Sequence, residues 1–129
     1  MFGFRSDGKK IKNIDPFMKI VPHIMFHRND AMVMKSEDID CSKLDAYILN
    51  KRREEGVKLD YMDVIISAFV RIFSLRPKLN RFVVNGRLFK RNNIELSFSI
   101  KKKLVDSAEE TALKLTFDGT ESIYEVKDK

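Results

Sequence analysis

Pro77 divides the chain between two hydrophobic rhythms, and that division restricts the fold more than any other feature. Before it, "KLDYMDVIISAFVRIFSLRP" repeats at helical spacing, with Val64, Ile65, Ala68, Phe69, Ile72 and Phe73 on one broad apolar face. Asp60 is predicted to cap this helix, and Asp63 falls in the first turn, where negative charge suits the helix dipole. Pro77 stops it, because proline clashes with the preceding turn and has no N–H to donate. After Pro77 the period is two. "RFVVNGRLFK" is predicted to form a hairpin whose Asn85-Gly86 turn tolerates the positive φ of a type I′ turn. "NIELSFSIKK" alternates Ile94, Leu96, Phe98 and Ile100 against Glu95, Ser97, Ser99 and Lys101, and "TALKLTF" repeats the pattern with Leu113, Leu115 and Phe117. Such strands bury one face and wet the other.

The flanking segments complete the expected order. "PHIMFHRNDAMVMKSEDID" reads as extended structure, with Ile24 and Phe26 alternating against His23, Met25 and His27, and a second run after Asn29-Asp30. "CSKLDAYILNKRREEG" reads as a helix capped by Ser42, burying Leu44, Tyr47 and Ile48 and ending at Gly56. After the Asp118-Gly119 turn, Thr120 is the predicted cap of a final helix carrying Ile123 and Val126. The whole is expected to be α+β: a two-layer sandwich of helices on one face of a mostly antiparallel, mixed sheet, forming a single domain over residues 1–129.

The composition narrows the classes. With 43% hydrophobic and 34% charged residues the chain reads as globular, and no apolar run approaches the ~18 residues of a membrane span. The N-terminal "MFGFRSDGKK" has no signal-peptide core, so a cytoplasmic location is expected. The single cysteine, Cys41, excludes an internal disulfide and a cysteine metal cage, and is expected to be an inert loop thiol. The net charge of +6 favours anionic partners, but the basic residues look dispersed, with small clusters at Lys9–Lys10–Lys12, Lys51–Arg52–Arg53 and Lys101–Lys102–Lys103.

No nucleotide-binding glycine motif, HExxH or GxSxG occurs. His23 and His27 are the only histidines; on a strand they would stand about 13 Å apart, too far to share a metal. No metal site is expected. Asp38 with Asp40, and Glu109 with Glu110, fall where loops are expected and read as solvated. No catalytic trio can be assembled from these residues.

The passage from "VPHIMFHRND" through "GVKLDYMDVIISAFVRIF" to "RPKLNRFVVNGRLFKRNNIELSFSI" resembles the catalytic domain of the 2-oxo acid dehydrogenase acyltransferases (the dihydrolipoamide acyltransferase component) and of chloramphenicol acetyltransferase. The resemblance carries through a Pro-His pair, a short helix, the apolar helix and the hairpin-to-strand passage; "RPKLNRF" is its most specific piece. It implies a two-layer domain assembled as a trimer, moving an acyl group between a coenzyme A thioester and a small thiol or hydroxyl acceptor in a channel between subunits. The family's general base is a histidine of an HxxxDG-type motif, which this sequence does not contain. The chain therefore resembles the N-terminal, truncated half of such a domain and is expected to be inactive alone. His23 does not match the catalytic position; His23, Met25, Ser97 and Ser99 are the candidates for lining the channel, none in a proton-transfer role. No cofactor is expected to be covalently bound.

Two other classes compete. A basic nucleic-acid-binding module would account for the charge and for the aromatic-to-lysine strand "NIELSFSIKKK", although Phe98 shares its face with core positions. A non-enzymatic interaction protein built on an acyltransferase scaffold is the other alternative.

Overall fold

The computed structural model describes residues 5–103, 105 and 108–129, so residues 1–4 of the segment read for a signal peptide lie outside them. The chain runs β1 (Gly8–Lys10), α1 (Pro16–Ile24), a 3-10 turn (Asn29–Ala31), α2 (Ser42–Glu54), α3 (Tyr61–Leu75), a second 3-10 turn (Pro77–Leu79), β2 (Arg81–Val84), β3 (Arg87–Arg91), β4 (Ile94–Lys101), β5 (Glu110–Phe117) and α4 (Ile123–Lys127). It is a mixed α+β arrangement. Among the described residues no helix is long and apolar enough to cross a membrane.

The strands form two separate sheets, not the single mixed sheet expected. One has the order β1-β3-β2 and the other is the β4–β5 hairpin, and every pairing is antiparallel. β1 went unrecognised in the sequence because Gly-Lys-Lys carries no apolar alternation. It exists through its backbone pairing with β3, with Gly8 opposite Arg91 and Lys10 opposite Phe89.

The core lies where α3 and α4 cover the apolar face of β4–β5. Ile94 faces Phe117, Leu96 faces Leu115 and Phe98 faces Leu113, so the alternation read in both strands is realised on one side. Ile66, Val70, Ile94, Phe117 and Val126 are buried together, with Phe73, Leu96, Phe98 and Leu115 packed around them. α3 begins as expected, Asp60 and Asp63 forming a reciprocal capping box, and its last helical residue, Leu75, comes two before Pro77. The buried stripe is rotated from the expected one, however. Ile66 and Val70 face the sheet, whereas Ile65, Phe69 and Ile72 remain 46%, 48% and 46% exposed. The apolar arc of α3 is bounded by a polar stripe of Asp63, Ser67, Arg71 and Ser74 but is wider than the sheet covers, so its periodicity could not select which part of the arc would be buried.

Three further expectations are corrected. Residues Pro16–Ile24 form a helix where 22–40 reads as extended: Asp15 followed by Pro16 is a cap with a preorganised first residue, and this local signal overrides the short alternation of Ile24 and Phe26. Past the 3-10 turn at Asn29–Ala31, the second run pairs with no strand among the described residues. α2 is capped by Cys41, with Ser42 its first residue; it buries nothing fully, and Tyr47 is exposed. α4 starts from Ser122, not Thr120, because Ser122 and Glu125 make the capping box.

Around α4 the chain end is tied down. Glu121 accepts the backbone N–H of Asp118 and of Gly119, each at 2.9 Å, and takes the Lys129 ammonium at 2.8 Å. The same ammonium donates to the Thr116 carbonyl at 2.7 Å. Partial desolvation pushes the Glu121 carboxyl up, but Lys129 and the two backbone donors outweigh it and hold the group at about 2.

Candidate functional site

In α1, Asp15 accepts the Phe17 N–H at 2.8 Å, and the helix closes with Met25 donating to the Val21 carbonyl at 3.0 Å. His23 thus sits in the last turn, beside the tip of the β2–β3 hairpin. Asn85 and Gly86 form that tip with φ of 48° and 68°, as the Asn-Gly pair requires. A Cβ on Gly86 would stand 2.7 Å from His23 Cε1, so this glycine serves both the turn and the close approach of the imidazole.

Between α1, the stretch after β1 and this hairpin lies a cleft of about 420 Å³. Its floor is aliphatic: Ile11, Ile14 and Leu88, all partly buried. Its rim is cationic: Lys10, Lys12, Lys19 and Arg87, all exposed. The backbone brings positions so distant in sequence together, with Ile11 N–H donating to the Leu88 carbonyl at 3.1 Å beside the β1–β3 ladder.

Among the described residues no carboxylate answers these cations. Among the described residues the ion pairs of this region are Arg5–Asp7 at 2.7 Å and Arg91–Glu95 at 3.7 Å, and none of the four rim cations takes part in one. Asp15, the nearest acid along the chain, is occupied in capping α1. The sheet register adds a further row: Lys90 on β3 has Lys9 opposite it on β1 and Arg81 opposite it on β2. Residues that pair directly share a face, so three cations lie side by side across the sheet, an arrangement that is repulsive by itself. Arg81 Nε is buried there without a hydrogen-bond partner. Residues 5–24 and 76–91 together hold eleven lysines and arginines against two aspartates, a net +9; since the whole chain carries +6, the remainder is −3. The positive charge that looks dispersed along the sequence is gathered by the fold.

Phe82 anchors the other side of the same sheet. It stacks on Phe89 at 5.5 Å between ring centroids, with the Arg5 and Arg91 guanidinium groups 5.5 and 4.6 Å from its own centroid.

A second cleft, of about 490 Å³, separates α2 from the start of α3 and differs in charge. Asp45 and Asp60 line it alongside Arg52 and Lys58, so it is balanced. Tyr61 donates to Asp45 there, which holds its phenol above the usual range. Nearby, Lys51 joins α2 to α4: it pairs with Glu55 and donates to the Tyr124 hydroxyl at 3.0 Å, and both contacts raise its pKa.

The sequence candidates are dispersed. His23 lines the cationic cleft, while Met25 caps α1 and lies outside that lining. Ser97 and Ser99 lie on the polar face of β4, in the other sheet, where Ser99 Oγ donates to Glu110 at 3.4 Å. Phe98 packs against the core, as its position in the alternation required. Cys41 is exposed, its thiol 3.6 Å from the Ile39 carbonyl. Asp40, read as a solvated acid, accepts from the Ser42 hydroxyl and N–H, which lower its pKa. Among the described residues no group of three or more His, Cys, Asp or Glu could hold a metal ion. Lys19 and Arg87 were not foreseen as site residues; the only sequence signal near them was the Lys9–Lys10–Lys12 cluster. No protein family, curated protein or solved structure matches the chain.

Proposed function

We propose that the chain is part of a coenzyme A-dependent acyltransferase of the kind its sequence resembles. It would contribute the apolar central helix, the strands that follow and one wall of the substrate channel to a homo-oligomer, a trimer in that family. The transfer runs from a coenzyme A thioester to a small thiol or hydroxyl acceptor in the complete domain. The general base is not among these residues, since neither histidine belongs to an HxxxDG motif.

The observation that carries this reading is uncovered surface. The chain exposes 11086 Å², whereas a compact chain of 15.1 kDa exposes about 7,000 Å². The excess, about 4,000 Å², is of the size that large permanent interfaces bury. Part of it is apolar and contiguous, with Ile65, Phe69 and Ile72 on the side of α3 turned away from the sheet.

Light scattering at tens of micromolar, followed by equilibrium binding of coenzyme A to the species found, tests the reading. An oligomer that binds coenzyme A, with acetyl transfer to thiols at background, is expected. A compact monomer, or an oligomer indifferent to coenzyme A, overturns it. So does turnover that His23→Ala abolishes.

A further inference from the structure

We infer that the cleft between α1 and the β2–β3 hairpin binds a phosphate or diphosphate group carried on an aliphatic body. The assignment rests on the cleft alone and stands if the acyltransferase reading fails.

Two independent features point to an anion. The first is the rim, where Lys10, Lys12, Lys19 and Arg87 surround one opening with no carboxylate among the described residues paired to any of them. A cleft focuses the field of such a ring and raises the local concentration of anions. The second is the Lys9–Lys90–Arg81 row in the adjoining sheet, where the pairing register holds like charges side by side and one buried guanidinium nitrogen lacks a partner. None of these three side chains lines the cleft, but their charge adds to the positive potential of the region around it.

The ligand class follows from the lining. Three ammonium groups act as point charges spread round the opening, and one guanidinium offers a planar fork; together they suit several phosphate oxygens better than a single carboxylate. The floor of Ile11, Ile14 and Leu88 is aliphatic, and the single ring in the lining, the His23 imidazole, lies against Gly86 at the hairpin tip, so no row of rings offers successive bases a stack. A volume of about 420 Å³ is within the range of small-ligand pockets. Those properties favour a small phosphorylated molecule with an aliphatic portion over a nucleic acid strand.

Geranyl diphosphate is a suitable probe, with inorganic pyrophosphate and geraniol as its two halves. Calorimetry on the full chain at low salt is expected to show geranyl diphosphate binding about tenfold tighter than pyrophosphate, with geraniol not measurable. The double change Lys12→Glu with Arg87→Glu is expected to weaken that binding at least tenfold. The same change in net charge placed elsewhere, Lys102→Glu with Lys103→Glu, is expected to weaken it less than threefold. Melting curves accompany both variants; if the glutamate pair does not fold, Lys12→Gln with Arg87→Gln replaces it and is expected to lose at least fivefold. Vesicles of phosphatidylglycerol form a separate arm: co-sedimentation that geranyl diphosphate displaces supports the cleft and identifies a lipid headgroup as its source. Equal loss in the two glutamate variants, geraniol binding as tightly as its diphosphate, or no binding by the unaltered chain overturns the inference. An oligonucleotide that binds while geranyl diphosphate does not overturns it in favour of nucleic acid.

Discussion

The β4–β5 hairpin and the β1–β3–β2 sheet are both antiparallel, yet their registers treat charge in opposite ways. Across β4–β5, Lys101 lies opposite Glu110 at 4.0 Å, and Glu95 reaches Lys114 at 2.9 Å. Its other face is the core, under α3 and α4. Across β1–β3–β2, Lys90 is flanked by Lys9 and Arg81, and the apolar contribution is the Phe82–Phe89 stack with the Val83–Leu88 pair and only one fully buried hydrophobic, Phe89. The first sheet is stabilised by its own side chains on both faces. The second holds together by backbone pairing, a small aromatic stack and a few partly buried aliphatic side chains against its own electrostatics. Where a structure retains such repulsion, binding is a more economical explanation than stability.

If that contrast is right, the largest effect belongs to the core. Phe117 is 1% exposed and touches the cluster formed by α3, α4 and β4. Phe117→Ala is expected to cost about 3–5 kcal/mol, from lost transfer energy plus the cavity left behind. Urea denaturation followed by circular dichroism measures it. A loss below about 1 kcal/mol would mean that the β4–β5 half is not the stability core.

The next effect concerns the clamp that closes this half. Against the upward push of desolvation, the Lys129 ammonium and the Asp118 and Gly119 N–H groups hold the Glu121 carboxyl at about 2 in the folded chain, below the ordinary glutamate range. A carboxylate with a depressed folded pKa contributes stability that is complete above its unfolded pKa and is lost as pH falls through the folded one. Glu121→Gln is therefore expected to cost about 2 kcal/mol at pH 7, with the difference from the unaltered chain closing between pH 4.5 and pH 2. A difference that stays constant over that window would show that the carboxylate's charge is not what holds Asp118, Gly119 and Lys129.

In the other half the sensitive point is the turn that seats His23. Gly86→Ala places a Cβ at φ 68° and against the imidazole, an expected loss of about 1–2 kcal/mol. Removing the ring as well, by His23→Ala, relieves the steric part and leaves the conformational part. A double-mutant cycle that shows no coupling would mean that α1 is not packed on the hairpin as described.

What the sequence made legible follows from how far apart the determining residues lie. α2, α3, the Asn85-Gly86 hairpin, β4 and β5 were all readable, because each is specified by residues within a few positions of one another. α1 has an equally local signal in Asp15-Pro16, but the alternation of Ile24 and Phe26 that follows mimics a strand. The face of α3 was illegible for a different reason, since an apolar arc wider than the sheet that covers it records no preference within the arc. β1 and the cationic cleft were out of reach. Both depend on pairing Gly8–Lys10 with Arg87–Arg91, about eighty positions away, and nothing in either stretch names the other. The basic clusters could be seen in the sequence, but their convergence could not.

The smallest expected effect is the most direct test of the contrast between the two sheets. Lys90→Glu, in the middle of the cation row, converts two like-charge pairs into two opposite-charge pairs. Cross-strand charge pairs contribute roughly 0.2–1 kcal/mol each, so the substitution is expected to stabilise the chain by about 1 kcal/mol at low salt. Lys101→Glu makes the identical change of charge in the other sheet, where it sets a second acid opposite Glu110; there a loss of about 0.5 kcal/mol is expected. Both shifts should shrink as salt rises, because the Debye length falls to about 3 Å at 1 M and Lys9, Lys90, Lys101 and Glu110 are exposed, with only Arg81 partly buried. Paired denaturation curves for the two variants at low and high salt decide the matter. Opposite signs that converge with salt mean that register sets the electrostatics of each sheet. Shifts of the same sign mean that overall charge, and not the Lys9–Lys90–Arg81 row, governs both, and the repulsion argued for the cleft region then has no local basis.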